Sequence, residues 1–133
     1  MTHGSAGDAG AKAMTAAIAA IATAIRRSQQ AIVRFAPGTS HHSLLIHRIR
    51  ALQTASVLLS MQTGERPVSN VPDEDMRNAV APLTSLLHKS EKARAKLSAG
   101  TWQAVMLDEQ TAALRTALAV MTDALEQING GSV

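Results

Sequence analysis

Apolar residues return at spacings of four and three from residue 14 to residue 35: Met14, Ile18, Ile21 and Ile25, then Ser28 in the same line, then Ile32 and Phe35. That period is helical and predicts one apolar stripe turned to a core. Three further stripes follow. The third helix carries Met76, Val80, Leu83, Leu87, Ser90, Arg94 and Leu97. The second, over about 40–63, carries Leu45, Ile49, Leu52, Ser56 and Leu59. The fourth, over about 102–128, carries Leu107, Leu114, Leu118, Met121, Leu125 and Ile128.

The stripes repeat. Residues 14–60 align with 76–122 at a constant offset of 62 and without a gap. Met14 meets Met76, Ser28 meets Ser90, Gly38-Thr39 meets Gly100-Thr101, and ALQTA (51–55) meets ALRTA (113–117). About a quarter of the pairs are identical, which points to internal duplication. Each copy reads as helix, tight turn, helix. Gly38 and Gly100 suit the left-handed residue that ends a helix. Thr39 and Thr101 suit the cap of the next helix, and Pro37 helps to stop the first. Short turns make antiparallel neighbours. The expected fold is therefore all-α: an up-down-up-down four-helix bundle built from two αα-hairpins, 12–63 and 74–127.

The segment between the copies, TGERPVSNVPDED (63–75), contains Gly64 and Pro67 as breakers and Asn70 as a candidate cap. Asp73, Glu74 and Asp75 fall in the first turn of helix three, where negative charge suits the dipole. Residues 1–11 are Gly-rich and read as a disordered head, 12–128 as the single bundle domain, and 129–133 as a tail.

Composition agrees with the pattern. The apolar share is 46%, rich in helix-forming Ala and Leu, with one Phe, one Trp and no Tyr. With no Cys, disulfides and thiolate chemistry are excluded. The run AMTAAIAAIATAI (13–25) is too short to span a bilayer, and its match to an internal helix argues against a cleaved signal. A cytoplasmic protein with no membrane partner is expected.

Charge is divided. No acid lies between Asp8 and Glu65, against the bases Lys12, Arg26, Arg27, Arg34, Arg48 and Arg50. The half of the bundle that holds both turns, 26–50 and 88–112, carries nine Lys and Arg against Glu91, Asp108 and Glu109. Part of this is dipole matching at helix C-termini. The excess makes Arg34, Lys96, His41 and His42 candidate ligands for a small anion. No aromatic residues interleave the bases, which argues against nucleic acid.

The candidate chemistry is sparse. His41, His42, His47 and His88 lack metal-ligand spacing, and helices one and two contain no carboxylate for a di-iron site. No metal, cofactor or catalytic residue is assigned. Arg94 interrupts an apolar stripe and is expected to pair with Asp108 or Glu109. Ser28 and Ser90 are expected to donate to carbonyls one turn back. Trp102 is expected to lid the end of the core. These features suggest a non-enzymatic bundle acting by protein association. Helix one is apolar over most of its circumference, so a homodimer is expected through Ala16, Ala20 and Ala24. The alternative is a bundle that binds an anion, a phosphate ligand or nucleic acid at its basic end.

Overall fold

The computed structural model describes residues 3–64 and 71–131, with the side chains of 3–9 and 129–131 left aside. Among the described residues the regular structure is helical throughout: α1 (His3–Ile32), α2 (Ser40–Thr63), α3 (Asp73–Ala95) and α4 (Trp102–Gly131). The all-α expectation holds. α1 packs on α2 and α4, α3 packs on the same two helices, and α2 also reaches α4 across the centre.

The core is one contiguous cluster. Ile21, Leu52, Leu59, Leu83, Leu114 and Met121 are the largest side chains fully removed from water. Each contributes roughly 1.5–3 kcal/mol relative to exposure. Between them lie Ala17, Ala24, Ala51, Ala55, Ala79, Ala113 and Ala117, also buried. These small residues let the helix surfaces approach closely, and the long side chains interdigitate beside them. Ile128, expected in the fourth stripe, is instead exposed; it lies in the last turn of α4, beyond the buried cluster that ends at Met121.

Two boundaries differ from expectation. The head expected outside the bundle is taken into α1 from His3. No proline interrupts 3–11, and each glycine there costs only about 1 kcal/mol of helix propensity. At the other end α4 runs on to Gly131, past residue 128. Asn70, the expected cap of helix three, lies outside the described residues. The cap position belongs to Pro72, which makes no side-chain cap bond, and Asp73, Glu74 and Asp75 occupy the first turn.

Both tight turns share one construction. α1 ends at Ile32, where Arg34 and Phe35 donate backbone N–H groups to Ala31 and Ile32. α3 ends with the same pair of bonds, from Lys96 to Ala93 and from Leu97 to Arg94. Gly38 and Gly100 then take φ of 90° and 88°. Pro37 has no counterpart in the second turn, where Ala99 stands, so the glycine rather than the proline defines the geometry.

Candidate functional site

Thr39 and Thr101 cap the helices that leave the turns. The hydroxyl of Thr39 accepts from the His42 N–H at 3.3 Å, and that of Thr101 from the Ala104 N–H at 3.2 Å. The Arg27 guanidinium, near the end of α1, reaches the Met106 thioether near the start of α4. Two ion pairs join α3 to α4: Arg94 Nε to Asp108 Oδ1 at 2.8 Å, and Arg115 Nη2 to Glu91 Oε2 at 2.6 Å. The first is the pair expected for Arg94, with its guanidinium partly buried and also donating to the Leu97 carbonyl. Asp108 and Glu91, two of the three acids near the turns, are thereby occupied.

Of the four anion candidates, three are exposed and one is half-buried. Arg34 and Lys96 are exposed, with neither an ion pair nor a side-chain hydrogen bond among the described residues. His41 stacks on Phe35, ring centroids 5.0 Å apart. His42 is half-buried behind it. The other histidines diverge: His47 lines a cleft between α2 and α3, and His88 lies on the outer face of α3 beside Lys89 and Lys92.

A polar layer crosses the core below the turns. Ser28 and Ser90 are buried and donate to Ala24 and Leu86, 2.9 and 2.8 Å away and one turn back, as expected. Gln110 donates to the Ser90 hydroxyl at 2.7 Å. At the offset of 62, position 110 aligns with Arg48, which is half-buried with no carboxylate or hydrogen-bond partner among the described residues. Burial lowers its pKa from the usual arginine value. The stripes contain Ser28 and Ser90 but neither Gln110 nor Arg48, although the offset of 62 pairs those two positions.

Apart from Ile128, the large exposed apolar residues among those described lie near the turns. Val33 is 81% exposed, Trp102 67%, Val105 48% and Leu44 43%. Trp102 therefore does not lid the core. As the first residue of α4 it stands beyond the last packed layer and projects outward.

The expected dimer residues divide. Ala24 is only 4% exposed and belongs to this chain's own core, so it is withdrawn from any interface. Ala20 is half-buried against the same core, while Ala16 is exposed. The stripe uses one face of α1, and Ala24 falls on it because its angular position matches that of Ile21 and Ser28.

The surface carries clefts. One, of about 770 Å³, runs between α2 and α3. Another is a shallow shelf on the outer face of α3, bordered by Arg77, His88, Lys89 and Lys92. Among the described residues no helix is long and apolar enough to cross a membrane, and no three His, Asp or Glu gather as metal ligands. No family model, curated protein or solved structure matches the chain.

Proposed function

We infer that this chain is a non-enzymatic bundle that acts by protein association, and that its docking surface is the end carrying both tight turns. The architecture behind this reading is an up-down-up-down order of two duplicated hairpins. The contact of Arg27 with Met106 supports it, since the end of α1 then meets the start of α4. The matched turn glycines, threonine caps and serine bonds, each 62 residues apart, support duplication.

One observation carries the function. Val33, Leu44, Trp102 and Val105 are exposed in the same half as nine Lys and Arg, and two of the three acids there are tied into ion pairs. Exposed aromatic and aliphatic anchors within a field of one sign suit a partner with an apolar face and acidic flanks. The test is capture of binding proteins on immobilised wild type and on Trp102→Ser with Val105→Ser. Partners held by wild type should be lost by the double variant and eluted by salt. If both proteins retain the same set, the turn end is not the docking surface.

The homodimer is a second reading, favoured by a different face. Between Lys12 and Arg26 the exposed residues of α1 include Thr15, Ala16, Ala19 and Ala22, with no charge among them. Sizing by light scattering should show a dimer that Ala16→Glu splits with helix content retained. A wild type that sizes as a monomer at high concentration removes this reading.

A further inference from the structure

The cleft between α2 and α3 has the dimensions of a ligand site. Its volume of about 770 Å³ lies within the range that holds small molecules. Its α2 wall runs from His47 to Val57, ten residues and thus about 15 Å of helix. It is a trough that follows the helix axis.

The chemistry of its lining changes along its length. His47 and Arg50 come from the first half of α2, and Gln53 from just past its midpoint. All three are exposed, and Arg50 has no ion-pair partner among the described residues. Val71, Pro72 and Asp75 come from the entry to α3. Asp75 is likewise exposed and unpaired. On the antiparallel order inferred above, α3 begins where α2 ends, so these residues sit toward the Val57 end. The trough then offers donors and positive charge at one end and a carboxylate at the other. Ala51, Val57, Ala79 and Pro82 line the space between.

Pro82 adds a second acceptor. It stands inside α3, and a proline has no N–H to return to the carbonyl four residues back. That carbonyl belongs to Asn78, which also lines the trough. A main-chain oxygen released from the helix ladder seeks a donor from elsewhere. Asp75 and the Asn78 carbonyl lie three residues apart on one helix, so both acceptors belong to the same end.

We propose that this trough binds a small elongated zwitterion, with its carboxylate at Arg50 and His47 and its ammonium at Asp75 and the Asn78 carbonyl. A short peptide with free ends has this form: four extended residues span about 13 Å. Among the described residues no ion pair joins the two charges of the site. A ligand carrying both opposite charges satisfies each.

The test uses tri-, tetra- and penta-alanine as probes, titrated calorimetrically into the full chain. At least one free peptide should bind saturably. N-acetylation and C-amidation should each weaken that binding by about tenfold or more, because each removes a charge-assisted contact. Arg50→Gln should lose the preference for the free C-terminus and Asp75→Asn that for the free N-terminus. Both side chains are exposed, so the variants should retain the fold, as ellipticity will show. Amide shift changes should fall within 47–57 and 71–82. No saturable binding by any of the three peptides, equal binding by capped forms, or shifts confined to other helices would overturn the proposal. Failure here leaves the turn-end reading untouched, since Trp102 and Val105 line no part of the trough.

Discussion

Gly100 isolates the cost of a single backbone angle. A Cβ added there meets nothing within 4 Å, yet φ is +88°. Gly100→Val should therefore destabilise through conformation alone, by roughly 1 kcal/mol or more, in a urea titration. Gly100→Asn should cost less, because asparagine tolerates the left-handed region. Arg48 makes the opposite case. Its charge is half-buried and unpartnered, and its pKa is lowered by that burial. The folded state thus disfavours the charged form at every pH below the arginine range, so the penalty is constant under ordinary conditions. Arg48→Gln supplies the amide that Gln110 places at the position 62 residues on. It should stabilise by up to about 1 kcal/mol, less whatever water already screens. A thermal melt that shows no gain would mean that the guanidinium is fully solvated. The sequence shows the constraint at Gly100 plainly, through the doubled Gly-Thr. It shows the one at Arg48 only when residues 14–60 are set against 76–122.

At the scale of the helix, long side chains were legible and short ones were not. Ile21, Leu52, Leu83 and Leu114 announce their stripes by hydrophobicity and period, and all are buried. Ala17, Ala51, Ala79 and Ala113 are as deeply buried. Alanine favours a helix whether it faces the core or water, so its presence carries no side information. Ala24, expected on an outer face, is buried, and its residue type gives no sign of it. The polarity of the trough was also hidden, because it is assembled from two helices that no local pattern relates. α3 contains a further testable element. Pro82 aligns with Ala20 at the offset of 62, and it withdraws one ladder bond. Pro82→Ala should raise stability by roughly 1–3 kcal/mol. It should also weaken peptide binding in the trough, because the Asn78 carbonyl regains its donor. Measuring both on one variant separates a helix defect from a defect kept for a ligand.

Across the whole molecule, charge is distributed unevenly over the bundle. Arg34, Lys96, Arg50, Lys89 and Lys92 remain unpaired among the described residues, while α3 opens with Asp73, Glu74 and Asp75. Mutual repulsion at the basic end has a cost that a bound anion relieves. If Arg34 and Lys96 hold phosphate, it should raise the melting temperature more than chloride at equal ionic strength, through mass action. Arg34→Gln with Lys96→Gln should remove that increment, and the increment it leaves measures the general exclusion effect of the salt. An unchanged increment would show a solvated, dipole-matched surface and nothing more. The position of Trp102 has a consequence of another kind. It is the chain's one tryptophan, there is no tyrosine, and two thirds of its surface is open to water. Its emission should already be red-shifted in the native protein. It should change little when the interior melts, so unfolding must be followed by backbone ellipticity. A blue shift would instead report that something has covered the turn end, and the protein thus carries a built-in optical gauge of its proposed docking surface.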